Sequence, residues 1–432
     1  MSNFKVNNYS DILSSQAYHR YSQGDLIEGI NLFSNIIGNN PHDSNIWVEL
    51  GFAHLKNLDF EMAKMCFETA NKINPTNPST ICALGLYYYE SEKYDVAEHF
   101  YNKTLKIDKN SEWAKLNLSL LEQTSGDYSK GLLLYEQRDK KRCLLLHKNF
   151  EEGHLTELKD LKTINGEKSI LVIGEQGFGD QLMICLYLKK LNLLGMNITY
   201  LVNEKLYNLL KSVKELQKIK ISKKLSKDEL QSFDYKIYSM SLPFLFYKSK
   251  LVREQLKIDV STLPRSFNDY PRKVKKLLSQ KKLRVGIAWS GRSSQTRNSF
   301  RSVKLEFFNK ILENKNINFF VMQKVSSLQD INIINNRENF FNFNPYLNDF
   351  TDTAFLLSKM DLVISTCTSL VHLAGLLDKK TYLLLSKVHD PRWNESKNGV
   401  IYKSVNKFKQ KNLNNWFHPL EEIKNNLEKY LK

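Results

Sequence analysis

A 34-residue period runs through the first third of the chain and constrains its fold more than any other feature. Small, aromatic and apolar residues recur in phase over four cycles: Gly29, Ala63, Ala97 and Gly131; Phe33, Phe67, Tyr101 and Tyr135; Leu26, Phe60, Tyr94 and Tyr128. Small residues let two helices approach closely, and aromatic side chains fill the groove between them. The period therefore predicts about four helix–turn–helix units that stack into a curved array.

The second unit carries the pattern most fully. Residues 44–77 contain the following matched positions: Trp47, Leu50, Gly51, Ala63, Phe67, Ala70 and Pro75. This pattern resembles the tetratricopeptide repeat, and the resemblance spans residues 10–140. It implies a concave surface, and by analogy with such arrays we expect that surface to bind a protein segment.

Composition excludes several classes of protein. With 432 residues the chain is long enough for two or three domains, and 42% hydrophobic residues exclude wholesale disorder. The net charge of +17 comes from lysines spread along the chain beside many Asn and Ile residues, so we predict no nucleic-acid partner. Even the densest basic run, residues 271–284, reads as a solvated helix face; a basic cleft for phosphorylated small molecules is the preferred interpretation.

Targeting signals and metal motifs are also missing from the sequence pattern. No apolar run reaches the ~18 residues of a membrane span, and the start of the chain lacks a charged head before an apolar block. A cytoplasmic protein is therefore predicted. The cysteines are odd in number and form no C-x-x-C pair, which predicts reduced thiols and no zinc cluster: Cys66, Cys82, Cys143, Cys185 and Cys367.

Two sets of short apolar runs follow the repeats, after a polar junction at residues 141–168. The predicted strands are SILVIG (169–174), NITYLV (197–202), KIKI (218–221), YKIYSM (235–240), LRVGIAWSG (283–291), NFFVMQ (318–323), DLVIST (361–366) and TYLLL (381–385). Helical stretches separate them, which predicts two parallel, doubly wound α/β halves at residues 169–265 and 280–432. Such halves leave a ligand cleft at the carboxyl ends of their strands.

The stretch IGEQGFGDQ (173–181) stands where the first strand passes into a helix. Gly177 and Gly179 allow a ligand to lie against the main chain, beside the positive end of that helix. A dinucleotide fingerprint fails because Leu182 occupies the place of its third glycine. Asp180 has two interpretations of equal weight, a helix cap or a base that accepts a proton from a hydroxyl.

Two further loops follow predicted strands and carry polar side chains. Thr366, Thr368 and Ser369 bring hydroxyls to a helix start, and His372 lies one turn further on the same face. That turn suits a diphosphate. His372 alone could equally pack in the core, but beside such a turn a ligand-facing role is the preferred interpretation. Around Gly291, a second loop offers serine hydroxyls together with arginines suited to phosphate oxygens: Ser290, Ser293, Ser294, Arg292, Arg297 and Arg301.

Taken in order, these motifs resemble a known family. They are EQGFGDQ, SLP (241–243), GIAWSG, FRS (300–302), NDFTDTA (348–354), HLAG (372–375) and HDPRW (389–393), with YEQR (135–138) before them. Together they are similar to the glycosyltransferase domain found behind tetratricopeptide repeats in bacteria. That domain is related to the heptosyltransferases of glycosyltransferase family 9 and has the GT-B fold, with two Rossmann-like halves.

The resemblance implies inverting, metal-independent sugar transfer, with a nucleotide sugar as co-substrate and no other cofactor. It implies that Asp180 is the catalytic base in the acceptor-side half. It places the following residues on the donor: Gly177, Gly179, Gly291, Arg301, Thr368, Ser369 and His372, with Glu175, Gln176, Ser290, Gln323, Lys324 and Cys367 as further members. Cys367 and Asn298 each stand where many relatives carry Asp, and these departures bear on donor identity and on activity.

The sequence thus predicts a glycosyltransferase that acts on a protein docked by the repeats, and flagellin is one possibility by analogy. Two alternatives stay open at this stage. One is a non-catalytic interaction scaffold with a degenerate transferase domain. The other is a transferase whose acceptor is a lipid-linked saccharide, as in heptosyltransferases.

Overall fold

Helical hairpins form the first part of the chain in the computed structural model. The described residues are 9–125, 127–144, 155–163, 168–293, 295, 297–324, 327–394 and 400–431, so residues 145–154 and 164–167 of the predicted junction lie outside them, as does Ser294. The helices of the array are α1 (Tyr9–Gln23), α2 (Leu26–Asn39), α3 (Ser44–Lys56), α4 (Phe60–Ile73), α5 (Pro78–Glu90), α6 (Tyr94–Ile107), α7 (Glu112–Ser125) and α8 (Tyr128–Tyr135).

Close helix contacts explain the period of small and aromatic residues. A Cβ atom at Gly51 would lie 2.5 Å from the Phe67 ring, and one at Gly85 would lie 2.5 Å from the Tyr101 ring. Aspartate side chains begin several helices: Asp43 accepts from Asn45 N, and Asp59 accepts from Met62 N. These contacts recur in successive hairpins because each unit repeats the same helix-on-helix packing.

The turns of the first three hairpins each have a left-handed residue at the same repeat position. Gly24, Leu58 and Glu92 have φ values of 92°, 64° and 59°. Only the first of these is glycine, so the second and third turns hold a conformation that L side chains resist.

Two parallel sheets follow the array. The first has the strand order β1-β5-β2-β3-β4 and the second has the order β11-β10-β9-β6-β7-β8. The strands are β1 (Thr156–Glu157), β2 (Ser169–Ile173), β3 (Asn197–Leu201), β4 (Lys220–Ser222), β5 (Tyr235–Tyr238), β6 (Leu283–Ala288), β7 (Ile317–Val321), β8 (Phe340–Asn342), β9 (Leu362–Thr366), β10 (Thr381–Leu385) and β11 (Val405–Lys409).

Helices separate the strands of both sheets. They are α9 (Phe178–Leu193), α10 (Glu204–Lys211), α11 (Lys227–Gln231), α12 (Leu242–Lys248), α13 (Arg272–Leu278), α14 (Asn298–Arg301), α15 (Asn309–Leu312), α16 (Leu328–Asn335), α17 (Phe350–Ser358), α18 (Ser369–Leu376) and α19 (Phe417–Leu431). Among the described residues, no helix combines the length and the apolar character that crossing a membrane requires.

The second sheet has the order of a complete Rossmann fold. Counted from its first strand β6, its order reads 6-5-4-1-2-3, and every pairing is parallel. The order reverses between β6 and β9 in this sheet and between β2 and β5 in the first. Ligands of open α/β sheets bind at such reversal points. The predicted fold class is confirmed: a helical repeat array precedes two parallel α/β sheets, as in a GT-B-like fold.

The chain divides into two compact units. One contains residues 139–290, 303–385 and 392–432, with both sheets; the other contains residues 1–138 together with two later segments, 291–302 and 386–391. The predicted boundaries assigned both segments to the C-terminal half. The structure packs them with the repeats instead, since Phe300 and Val388 are buried among apolar side chains of the array.

Candidate active site

The start of α9 holds its carboxylate close to the main chain. Asp180 Oδ2 accepts a hydrogen bond from the Gly177 N–H at 3.0 Å, so Asp180 does cap its own helix. Just before this cap, Gln176 has a φ of 59°, an uncommon conformation for a residue with a side chain. Its N–H donates to the Cys143 carbonyl oxygen at 2.9 Å. The turn is therefore held in a strained shape directly before the predicted base.

The second oxygen of Asp180 is engaged by an arginine. Arg392 Nη1 donates to Asp180 Oδ1 at 2.7 Å, and the two side chains are 22% and 18% exposed. Arg392 lies in the HDPRW motif but was not among the predicted site residues. A carboxylate has about four acceptor positions, so these two donors leave room for an incoming hydroxyl.

Gly179 joins the first motif to the hydroxyl-rich turn. A Cβ atom at position 179 would lie 2.8 Å from His372 Cδ2 and 3.3 Å from Ser369 Cα. The glycine is therefore required by helix packing, because the start of α18 fills the space before it. Gly177 differs: a Cβ atom there would meet only Asp180 Oδ2, at 3.4 Å, and its φ of −87° suits any residue. Packing gives no reason for glycine at 177.

The start of α18 presents hydroxyls and backbone donors. Thr368 is the N-cap residue but makes no capping hydrogen bond with its side chain; its hydroxyl lies 3.3 Å from Ser365 Oγ. Thr366 Oγ1 is buried without a hydrogen-bond partner in the described part of the chain. Backbone N–H groups at a helix start attract anions, so this turn has the chemistry of a phosphate site.

His372 is part of an aromatic cluster. Its Nδ1 lies 3.1 Å from the Tyr402 hydroxyl, and its ring centroid lies 5.2 Å from that of Trp393. Burial raises the pKa of the Tyr402 hydroxyl well above its usual value, so Tyr402 stays neutral. Trp393 Nε1 also donates to Cys367 Sγ at 3.1 Å. His372 thus has a packing role, and residues 393 and 402 support the turn from behind.

Gln323 ties together the carboxyl ends of β6 and β7 in the second sheet. Its Oε1 accepts from the N–H groups of Trp289 and Ser290 at 2.6 and 3.0 Å, and its Nε2 donates to Ser290 Oγ at 3.0 Å. Ser290 and Gln323 therefore lie together, as their positions after β6 and β7 predict. Lys324 is exposed.

Glu175 performs the corresponding task in the first sheet. It is fully buried, its Oε2 accepts from Met240 N at 2.8 Å, and its own N–H donates to Ser239 Oγ at 3.0 Å. These bonds fix the carboxyl ends of β2 and β5 beside each other. Glu175 therefore has a structural role in this arrangement.

Gly291 and Arg301 belong to the unit that contains the repeats. A Cβ atom at Gly291 would lie 2.3 Å from Arg301 Nη2, so a larger residue at 291 would displace this guanidinium. Asn298 Oδ1 accepts from Gly291 N at 3.0 Å and from Arg301 Nε at 3.4 Å. Asn298 thus supplies the acceptor oxygen that an aspartate would supply, without adding a negative charge beside Arg301.

Metal ligands do not cluster among the described residues: no group of three or more His, Cys, Asp or Glu side chains has a suitable arrangement. Sequence reasoning missed Arg392, Trp393 and Tyr402 as members of the site. The HDPRW motif carried a signal for the first two, whereas Tyr402 follows no motif.

Comparisons with known proteins identify the repeats. The tetratricopeptide repeat family profile matches residues 44–77 and 78–111. Anaphase-promoting complex subunit 3 of Schizosaccharomyces pombe is 30% identical over 105 residues, 24% of this chain and 16% of that protein. A Caenorhabditis elegans protein O-mannosyl-transferase, F38B6.6, is 29% identical over 94 residues, 22% of this chain and 14% of that protein. The matched segments thus span about one sixth or less of either relative.

Some solved structures are similar to part of this chain. MamA is 17% identical, with 31% of this chain and 77% of that chain covered and a TM-score of 0.27. The thermophilic tetratricopeptide protein TTC0263 of Thermus thermophilus is 16% identical, with 31% and 74% covered and a TM-score of 0.29. Residues 44–111 are therefore tetratricopeptide repeats, on the strength of the family profile.

Proposed function

We propose that this protein is an inverting glycosyltransferase that moves a sugar from a nucleotide sugar to a hydroxyl of a protein bound by the repeats. One observation carries the proposal: the start of α9, with Asp180, packs directly against the start of α18 through Gly179 and His372. A carboxylate and a helix start suited to phosphate therefore lie at one edge, between two Rossmann-like sheets.

In the proposed reaction, Asp180 acts on the acceptor and the start of α18 acts on the donor phosphate. The acceptor hydroxyl gives its proton to Asp180 Oδ1 while its oxygen forms a bond to the anomeric carbon of the sugar. The bond from that carbon to the phosphate oxygen breaks, and the electron pair leaves with the nucleotide. Backbone N–H groups at Ser369 and the neighbouring hydroxyls stabilise the negative charge that grows on the phosphate. By resemblance, this stabilisation replaces a metal ion.

Arg392 has a second use in this scheme. Its guanidinium already contacts the predicted base, and it lies next to Trp393, which supports Cys367 on the phosphate turn. A guanidinium at this place orients the carboxylate and adds positive charge near the leaving group. Arg301 is assigned to the donor phosphate by resemblance, and it lies in the other unit.

Two lines of comparison support the acceptor class. Tetratricopeptide arrays are protein-binding modules, and the relative F38B6.6 is named as a protein O-mannosyl-transferase. Both favour a hydroxyl on a protein over one on a lipid-linked saccharide.

A non-catalytic scaffold is the second candidate, and one observation favours it. Both oxygens of Asp180 already have donors, Gly177 N–H and Arg392, so the carboxylate fulfils a structural role without any substrate. In that case the sheets serve only to hold a nucleotide sugar, or only to support the repeats.

Transfer assays on the full chain separate the two candidates. Purified protein is incubated with labelled UDP-, GDP-, ADP- and CMP-sugars, and both hydrolysis and transfer to cell proteins are recorded. Asp180→Asn keeps the cap geometry but cannot accept the proton, so we expect transfer to fall roughly 10²–10⁴-fold while donor binding persists. Glu229→Gln is the matched control, because Glu229 caps α11 through Ser226 N in the same manner.

Each outcome decides one point. Loss of transfer in Asp180→Asn together with normal transfer in Glu229→Gln supports the catalytic role. Equal transfer in both variants removes Asp180 from the mechanism. Neither turnover nor binding of any nucleotide sugar by the unmodified protein favours the scaffold.

A further inference from the structure

One edge of the repeat array is covered by later parts of the same chain. We call it the turn edge: Phe60, Tyr87, Tyr89, Glu90 and Glu92, at the ends of first helices and the starts of second helices. The covering segments are residues 291–302, which follow β6, and residues 386–391, which follow β10.

Arg297 connects all three parts of this contact. Its Nη2 donates to Glu90 Oε2 at 3.0 Å and to the Val388 carbonyl oxygen at 2.8 Å. Its guanidinium also lies 5.9 Å from the Tyr89 ring and 5.7 Å from the Phe300 ring. A single side chain thus binds the array and both covering segments.

Apolar side chains also take part in the contact between the turn edge and the covering segments. Phe300 packs edge-on against Phe60, with ring centroids 6.2 Å apart, and is buried among apolar side chains of the second and third hairpins. Val388 is 2% exposed and lies in a cluster with Tyr89 and Tyr101. Both side chains fill positions in the core of the array, so their burial is part of what stabilises the repeats.

The acidic side chains of the turn edge are paired with basic side chains of the covering segments. Glu90 is 2% exposed, and burial raises the pKa of its carboxyl while the Arg297 charge opposes that rise. Beside it, Lys387 Nζ lies 2.6 Å from Glu92 Oε2, at a turn residue with a φ of 59°. Burial of a carboxylate without a cationic partner lowers the free energy of unfolding. The buried position of Glu90 therefore indicates a surface that binds an arginine.

We propose that the turn edge is a built-in socket for these two segments, and that Arg297 is a positioning residue that holds the predicted phosphate residue Arg301 in place. The path is short: Arg297 adjoins Asn298, whose Oδ1 accepts from both Gly291 N and Arg301 Nε. The assignment of Arg301 to phosphate rests on the proposed function, whereas the socket itself does not.

Two consequences follow for the role of the repeats. The second and third hairpins are required for an ordered Arg301 segment, so they contribute to donor binding as well as to acceptor binding. An acceptor protein must bind elsewhere on the array, because the turn edge is already filled. Deleting residues 1–138 would therefore disturb donor and acceptor binding together.

The test removes the ion pair without leaving a lone buried charge. The full-length double variant Glu90→Met/Arg297→Met is compared with Lys64→Met/Glu68→Met, which removes an exposed ion pair of α4. Hydrogen exchange is followed in peptides from residues 297–302 and 386–391. We expect exchange there to accelerate about tenfold or more in the first variant only, as the segments open locally.

A functional readout accompanies the exchange measurement. Binding of UDP, GDP, ADP and CDP is titrated in each variant, and transfer is resolved into kcat and the donor KM. We expect the donor Kd and KM to rise about tenfold while kcat changes little, because preorganisation of Arg301 is lost. Val388→Ala, which removes an apolar contact but no charge, serves as the second variant if the double variant does not fold.

The measurements distinguish failure of the socket, failure of the positioning role and failure of the proposed function. Unchanged exchange at residues 297–302 in both socket variants overturns the socket. Faster exchange with an unchanged donor Kd overturns the positioning role alone. If the unmodified protein binds no nucleotide, the proposed function is lost, and the exchange data still decide whether the socket exists.

Discussion

Arg392 and Asp180 form an ion pair of 2.7 Å although 212 residues separate them along the chain. The guanidinium of Arg392 contacts Oδ1 of the Asp180 carboxylate. The other oxygen, Oδ2, caps α9 because it accepts from the Gly177 N–H. Helix capping and the proposed role in proton transfer are therefore properties of the same side chain, and experiments must measure stability and activity separately.

A double-mutant cycle measures the strength of this pair. Arg392→Met, Asp180→Asn and the double variant are unfolded in urea. We expect a coupling energy of about 1–3 kcal/mol, between the values of exposed and fully buried pairs, because both side chains are mostly covered. Additive losses in the two single variants would show that solvent already weakens the contact.

The two glycines of the first motif should respond differently to alanine. Gly179→Ala forces a Cβ atom against His372 and Ser369, so we expect a loss of about 1–3 kcal/mol in the free energy of unfolding. Gly177→Ala has no such conflict and should leave that free energy within about 0.5 kcal/mol. Denaturation curves check both values. If Gly177→Ala preserves stability but weakens nucleotide-sugar binding, a ligand lies against residue 177.

Removal of Arg297 should make stability depend on pH. In Arg297→Gln the raised pKa of Glu90 rises further, because the opposing charge is gone. A carboxyl whose folded pKa is raised favours the folded state at low pH and loses that contribution as pH rises through its folded pKa. We expect a loss of about 3–5 kcal/mol at pH 8 that shrinks toward pH ~4.5.

Unfolding midpoints between pH 4.5 and 8 check this prediction. The control is Glu90→Gln/Arg297→Gln, which has no carboxyl to titrate at that position. A loss of equal size at every pH in Arg297→Gln would mean that removing Arg297 leaves the pKa of Glu90 in the folded state unchanged.

Cysteine alkylation reports on the phosphate turn without any assay of transfer. Burial raises the pKa of the thiols of Cys66, Cys82 and Cys185 to about 12, so iodoacetamide should not modify them in the folded protein. Cys143 and Cys367 are half-buried and should react. A nucleotide sugar bound at the start of α18 should slow modification of Cys367. Equal rates with and without ligand at saturation would place the ligand elsewhere.

Local patterns in the sequence were sufficient to predict the architecture. The period of 34 follows from contacts such as Gly51 on Phe67, which recur between neighbouring helices. The apolar runs predicted β2, β3, β6, β7, β9 and β10 closely, because buried parallel strands are continuous apolar segments. β1, β8 and β11 were missed, since each is short or polar and is specified by its neighbour in the sheet.

The site was predictable only in part. Ser290 and Gln323 follow adjacent parallel strands, so topology alone brings them together. The pairing of Arg392 with Asp180 depends on how two separate loops pack, and no local pattern encodes that distance. The need for glycine at 179 likewise becomes visible only when His372 occupies the space before it.

The seating of residues 291–302 and 386–391 on the repeats has a consequence for biosynthesis. The array emerges from the ribosome before the sheets, but Glu90 and Phe60 gain Arg297 and Phe300 as neighbours only after residue 300 has been synthesised. Until then the nascent chain exposes an unpaired acid beside aromatic rings, a surface that chaperones bind. Premature termination between the end of the array and that residue would release a fragment that tends to aggregate, rather than a repeat array that is stable by itself.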